Sequence, residues 1–497
     1  MSLLTFLALG ASWVFALPVM AQSAPKEVLS LAEILKATVR SKPSLELASI
    51  DSKRAVENAR AADGLNDWQL DATGRIFRQR ATNVSGNVTG TNKSDVVSLQ
   101  SSISRQIPTG GRVSLGFNLG RNQSEFAFSG NEVTTVTSDL SATLDQPLLR
   151  GRLENANNTN KQQADLQISI AEANLEQEAR QTLFQVIRDY WELAYAEKEL
   201  QIRKASLKLA TLRLANTRQS VLGGAIPKSS ITEVEQVIAQ RNEAIALADL
   251  AIVERSIALR LSSGLEIGPS FTVLSAKDQL TSTTRTFNET SILNLAEKFS
   301  PELITLSKQK EGSKLDVQVT KAGMLPRLDL QVFAGPQGID DNIGGSLSQT
   351  IQAKGYAAGG TLTFSMPLEN TTAKYNKNSA ELGLKRALIS EKQIKLQLAS
   401  SVIQAVARVR ASRKQVDFSK RFIELAKKNI ENEKSRFNLG RATNFDVLER
   451  QTELQEAELR RARSLADQAI NIAFVDSLSG AIFKTNNILL ERQKPGR

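Results

Sequence analysis

Arg436-Phe437-Asn438-Leu439-Gly440-Arg441-Ala442-Thr443-Asn444-Phe445-Asp446-Val447-Leu448-Glu449 sets the reading of the whole chain. It is a glycine turn between two stretches of helical sequence. Upstream, helical character runs from Lys374 to Leu439; downstream it returns from Asn444 to Leu478. The earlier half has the same layout, with Asn160 to Val221, the turn Leu222-Gly223-Gly224, and Ser230 to Leu261. Both are read as antiparallel helical hairpins. At ~1.5 Å per residue the long tracts reach on the order of 90 to 100 Å, far beyond what one globular domain needs. On the first return helix, Ile231, Val234, Ile238, Arg241, Ile245, Ala248, Ile252, Arg255 and Leu259 keep three-four spacing, the seam of a coiled coil. That stripe is core packing, and a helical tube requires the same.

Working outward, the chain repeats itself. A first helix, Leu29 to Gly64, is broken at Ser41-Lys42-Pro43-Ser44-Leu45, where Pro43 suits the first turn of a restarted helix. A shift of 258 positions brings Pro43, Leu45, Leu70 and Asp71 onto Pro301, Leu303, Leu328 and Asp329 without gaps. Identities are few, so the order of elements carries the repeat. Its predicted segments are 1–21 for export, 22–270 for the first repeat, 271–290 as linker, 291–482 for the second repeat and 483–497 as a tail.

Between first helix and long hairpin, each repeat carries strand-like alternation. In the first it covers Leu70 to Arg80, Val97 to Ile107, Val113 to Arg121 and Thr135 to Gln146. In the second it covers Leu328 to Val332 and Thr361 to Met366. Both regions end on proline, in Gln146-Pro147-Leu148 and Met366-Pro367-Leu368. Two such regions, neither closing a barrel alone, leave unpaired edges that must be covered. Several copies are therefore expected to share one barrel. Strands of ~9 to 11 tilted residues suffice to cross a bilayer.

Composition removes most chemistry. Among 497 residues there is no Cys and no His, so thiol nucleophiles, imidazole bases, disulfides and zinc sites built from those ligands are excluded. Phosphate-loop and nucleophile-elbow motifs are absent, and the glycines from Gly110 to Gly120 lie in strand-like sequence. No catalytic residue, metal site or cofactor is expected. The net charge of +11 raises nucleic acid as a partner. Its distribution argues against one: the cluster Arg408, Arg410, Arg413, Lys414, Lys420 and Arg421 lacks interleaved aromatics and reads as a solvated helix face.

Residues Leu3 to Met20 are apolar and end in Val19-Met20-Ala21, a plausible export cleavage site after Ala21. No Lys or Arg precedes Lys26, which leaves a retained anchor as the alternative. No other apolar run has that length, so a membrane-integral mature chain must cross as a barrel.

The quoted turn resembles the periplasmic turn of TolC-like outer-membrane efflux proteins. The counterpart Leu222 to Val234 resembles it too, with about three extra residues including Pro227. Leu325-Pro326-Arg327-Leu328-Asp329-Leu330 and Phe364-Ser365-Met366-Pro367-Leu368 are similar to the family's helix-to-strand and strand-to-helix joints. The resemblance implies an α+β membrane protein. Long antiparallel coiled-coil helices would form a trimeric periplasmic tunnel, continuing into one outer-membrane barrel that all protomers share. It implies a homotrimer in contact with outer-membrane lipid, docked to a periplasmic adaptor and an inner-membrane pump. The function implied is the passive duct of a tripartite efflux or type I secretion system.

In this family, acidic residues of the second return helix ring the periplasmic aperture; the matching positions are Asp446 and Glu449. Three residues apart, they share a helix face, and six carboxylates around a narrow opening would repel and raise one another's pKa. Alone, such a pair reads as solvated surface. The family's gating aromatic hydroxyl falls on Phe437, which has none, and its arginine on Ala442. Arg441 is the candidate replacement, with Glu233 as acidic partner. Leu222, Gly223, Gly224, Leu439 and Gly440 match adaptor-docking tips, while capping alone also explains the glycines. The first half has about two strands more than the resemblance implies, around Pro108-Thr109-Gly110-Gly111. They would widen the barrel or project outward. A structural periplasmic coiled-coil spacer or surface adhesin is the rival reading.

Overall fold

The computed structural model describes residues 26–489 except 87, 126–130, 153–157, 225 and 269–271. The export segment 1–21, its cleavage point and most of the expected tail lie outside the described residues. Two compact units are present. One contains the segment ending at Arg40, Gln185–Thr283 and Ala411–Ile470; the other contains Ser41–Phe184, Thr284–Arg410 and the segment from Asn471. Each draws on both repeats.

In the second unit the proline breaks behave as expected. Helix α1, Leu31–Ser41, ends where the first unit gives way to the second in sequence, and α2, Pro43–Asp63, restarts with Pro43 at its first turn. Helices α5 (Glu289–Phe299) and α6 (Pro301–Ala322) meet at the same kind of break. There the Ser300 hydroxyl accepts from the Leu303 N–H at 3.3 Å, an N-cap. Leu45 and Leu303, equivalent in the repeat, are both buried. The local core joins Ile292 and Ala296 to Val402, Ala405, Val406, Val409 and Val475.

The same unit holds one six-stranded antiparallel sheet. Its strands are β2 (Gln69–Ser85), β3 (Val88–Gln106), β4 (Arg112–Glu125), β5 (Glu132–Pro147), β7 (Arg327–Asp340) and β8 (Gly355–Ser365), in that spatial order. All four first-repeat strands belong to it, so the extra hairpin widens the sheet. The tight turn after β3 is pinned to β5: Gln146 Nε2 donates to Thr109 O at 3.1 Å and Thr109 Oγ1 donates to Gln146 Oε1 at 2.8 Å. A Cβ on Gly111 would stand 2.8 Å from Asp145 O.

Strands β7 and β8 run well beyond the expected Leu328 to Val332 and Thr361 to Met366. Gly335-Pro336-Gln337-Gly338 lies outside the expected strand, and its glycines serve close approach. A Cβ on Gly335 would lie 1.8 Å from Leu140 O. Between these strands a nine-residue helix, α7 (Ile343–Ile351), packs on the sheet. Its two glycines gave no helical signal.

The other unit contains a short parallel pair that alternation could not reveal, β1 (Lys26–Leu29) with β6 (Val273–Ala276). Tyr190, fully buried, anchors it by donating to Asp278 Oδ2 at 2.6 Å, while the Leu31 N–H donates to the same oxygen at 2.8 Å. The Gln468 amide binds both the N–H and the carbonyl of Thr283.

The hairpins are as long as expected. Helix α3 (Thr159–Leu222, 64 residues) is followed by α4 (Ser229–Ser263), and α8 (Thr371–Asn438, 68 residues) by α9 (Asn444–Ser479). Of the predicted seam, Val234, Arg241, Ala248, Ile252 and Leu259 are buried, whereas Arg255 is exposed and Ser256 takes its place. Among the described residues no helix is long and apolar enough to cross a membrane.

Candidate functional site

Both glycine turns use left-handed backbone. Gly224 has φ +73° and Gly440 φ +69°. The Gly440 N–H bonds Phe437 O at 2.9 Å and the Arg441 N–H bonds Arg436 O at 2.8 Å, closing α8 as a Schellman-type cap. Leu222 and Leu439 are exposed, 86% and 70%, so each turn presents a leucine to its surroundings.

Helix α9 begins with a capping box. Thr443 donates its N–H and its hydroxyl to Asp446 Oδ2, at 2.7 and 2.8 Å, and the Asp446 N–H returns a bond to Thr443 Oγ1 at 3.2 Å. The Thr443 backbone and side-chain bonds hold the Asp446 carboxyl below the ordinary aspartate range. Within one chain this opposes the upward shift expected from repulsion among copies. Glu449 is exposed, 3.8 Å from Arg450.

The pair suggested between Arg441 and Glu233 is not formed within the chain; among the described residues neither side chain has an ion-pair partner. Charge pairs between the first hairpin's arms join Arg218 to Glu235, at 2.8 Å, and Lys204 to Asp249, at 3.9 Å. Sequence reasoning missed Arg213. From α3 its guanidinium lies over the Phe437 ring, 4.0 Å from the centroid, and donates through Nε to Asn444 Oδ1. Asn444 Nδ2 in turn donates to Thr217 Oγ1 at 3.0 Å. The arm of the first hairpin thus grips both sides of the second turn. Burial lowers the Arg213 pKa from its ordinary value. Its Nη2 is buried with no partner among the described residues. Phe437 lacks the hydroxyl of a gating aromatic, but its ring face binds a cation.

The second candidate surface is the sheet. Across all six strands one register row reads Leu70, Ile103, Leu115, Ala142, Ala334 and Ala358. On the opposite face Thr73, Gln100, Asn118, Asp139, Gln337 and Gly355 form a row. Apolar Ile76, Leu70, Leu362 and Phe364 stand exposed on the first face. On the polar face Asn118 donates to Asp139 at 2.8 Å, and Gln331 to Asp145 at 2.8 Å. Trp68 and Phe364 lie toward the helix-bearing strand ends and Tyr356 toward the opposite end. Such two-sided alternation with flanking aromatics is the signature of a transmembrane barrel wall. Among the described residues, strands β2 and β8 each have one unpaired edge.

Comparison with known proteins agrees with this geometry. Residues 292–481 match the family described as Outer membrane efflux protein. No curated protein matches the sequence. Among solved structures, the chain is similar to the Campylobacter jejuni CmeC outer membrane channel at TM-score 0.66 and 14% identity, covering 91% of this chain and 86% of that one. The outer membrane protein VceC of Vibrio cholerae gives 0.63 and 15%, over 90% and 96% of the two chains. The open state of the Neisseria gonorrhoeae MtrE outer membrane channel gives 0.63 and 15%, over 91% and 89%. Residues 292–481 thus match the outer membrane efflux protein family, and the chain as a whole has the TolC-like outer-membrane channel fold.

Proposed function

We propose that three copies of this chain form a passive exit duct in the outer membrane, extending into the periplasm and serving a tripartite efflux or type I secretion system. One observation carries the reading. The six-stranded sheet is apolar on one face and polar on the other, and it ends in two open edges. Hydrocarbon tolerates no open edge, so the sheets of several copies must close on one another. Three such sheets fall in the range of about 16 to 18 strands that leaves a water-filled lumen. The polar face then lines the lumen and the apolar face meets lipid.

A periplasmic adaptor docks at Leu222, Gly223, Gly224, Leu439 and Gly440, and an inner-membrane pump supplies the energy. Asp446 and Glu449 of each copy ring the periplasmic aperture. Small compounds or proteins are the cargo, and the duct leaves them chemically unchanged.

Purified protein reconstituted in planar bilayers tests the proposal. Discrete, long-lived conductance steps are expected. A protein that binds no detergent, is released from envelopes by salt and gives no conductance would be the coiled-coil spacer instead.

A further inference from the structure

Helix α7 does more than join β7 to β8. Ser346 and Thr350, one turn apart, are buried against the sheet. Ser138 Oγ lies 2.8 Å from Ser346 Oγ and 2.6 Å from Thr350 Oγ1. Ser346 Oγ also bonds Gly338 O at 3.0 Å, and Thr350 Oγ1 bonds Ser138 O at 2.9 Å. A Cβ at Gly338 would fall 2.0 Å from Ser346 O, so only glycine permits this approach. The docking is close, and each of these hydroxyls has a partner, as a setting without water requires.

The face on which α7 docks is the apolar one. Ser138 pairs with Gly338 and Leu119, and Leu119 with Leu99. Leu119 is four residues from Leu115 along β4, hence on the same side. Along α7, Ile343, Leu347 and Ile351 form a stripe at four-residue spacing beside the docked hydroxyls. Ile351 is 83% exposed and Ile343 49%. A cavity of about 570 Å³, also lined by Arg121, joins Ile343 to Ile76, Val97, Leu119 and Val136, so the Ile343 end of the stripe continues the apolar face of its own chain. Helix α7 itself packs against β7 and β5. The other flank of α7 is polar: Gln349 donates to Asp340 Oδ2 at 3.0 Å and Gln352 is exposed.

A hydroxyl face sealed to the wall, an apolar stripe level with the upper apolar rows and a polar flank are the properties of a helix at a membrane interface. We infer that α7 is a lipid-contacting collar element. It seats Ile343, Leu347 and Ile351 in the acyl chains of the leaflet that surrounds the strand ends farthest from the helices. This rests on the reading of the apolar sheet face as lipid-facing.

The natural chain has no cysteine, so single labels report cleanly. Ile351→Cys, Leu115→Cys and Asp341→Cys would each carry a nitroxide in phosphatidylethanolamine and phosphatidylglycerol liposomes. Relaxation by oxygen is then compared with relaxation by a water-soluble nickel chelate. Labels at 351 and 115 are expected to respond several-fold more to oxygen, and the label at 341 more to nickel. A label at 351 that responds to nickel, or to neither reagent as under a neighbouring copy, overturns the inference while 115 still reports lipid. A label at 115 that reports water overturns the barrel reading itself, and the inference with it.

Discussion

The Arg213 guanidinium lies over the Phe437 ring, 4.0 Å from its centroid, and joins the arm of the first hairpin to the turn of the second. Through Nε it also holds Asn444, the first residue of α9. Arg213→Ala removes a cation–π contact and a charge-assisted hydrogen bond, together worth about 2 to 3 kcal/mol locally. Amides of residues 438–448 should exchange faster while those of the sheet stay unchanged. Equal protection in the variant would show that the turn is held by other contacts.

Acid should loosen the same turn late. The Asp446 carboxyl titrates below its ordinary value because the Thr443 N–H and hydroxyl stabilise the charged form. A lowered folded pKa gives stability that is complete above the unfolded value of 3.8 and lost as pH falls through the folded one. Protection of the first turn of α9 should therefore persist to pH 4 and fade below it. Asp446→Asn should flatten that dependence; an unchanged pH profile in the variant would exclude the cap as its source.

If six carboxylates ring an aperture, selectivity will show it. Asp446→Ala with Glu449→Ala should reduce cation selectivity, read as a smaller reversal potential across a salt gradient, and weaken block by divalent cations. Glu449→Gln, which leaves the capping box intact, should give part of the effect. Unaltered reversal potentials in both variants would remove these residues from the aperture.

Arg285 meets Asp476 with two bonds of 2.6 Å, and the carboxylate is 5% exposed. Arg285→Ala strands a buried charge, at about 2 to 3 kcal/mol because the arginine itself is partly solvated. Thermal unfolding of the variant should fall by several degrees, and adding Asp476→Asn should recover much of the loss. Failure of the second change to rescue would mean that the packing of Arg285 over Phe287, 4.9 Å away, matters more than its charge.

Tyr190→Phe tests the joint at β1 and β6. Removing the buried hydroxyl takes a bond from the exposed Asp278 and leaves the Asp278 N–H, 3.1 Å from that oxygen, without its protein acceptor. A loss of about 0.5 to 1.5 kcal/mol is expected, because water can replace the lost partner at Asp278, with faster exchange of residues 26–31. Wild-type exchange there would place the anchor elsewhere.

Periodicity and punctuation in the sequence were sufficient for the architecture. Pro43 and Pro301, the two glycine turns and the seam through Val234, Arg241 and Ala248 act over one to seven residues, which is why their places were legible. Long helices and alternating strands are set by such local spacing, and so is the requirement that the sheet edges find partners. Several features were decided by contacts between residues some ninety to more than two hundred positions apart, to which no local pattern points. Arg213 reached Asn444 across the hairpins, Ser138 reached Ser346 and Thr350, and Tyr190 closed on Asp278 over 88 positions. Gly335 and Gly338 fell outside the expected strand because sequence shows a missing side chain, whereas tertiary packing shows the backbone that occupies its space. Sequence alone determined that a long helical hairpin follows each strand region. Only the tertiary structure decided that all six strands share one two-faced sheet, because register and facing depend on which backbones hydrogen-bond to one another.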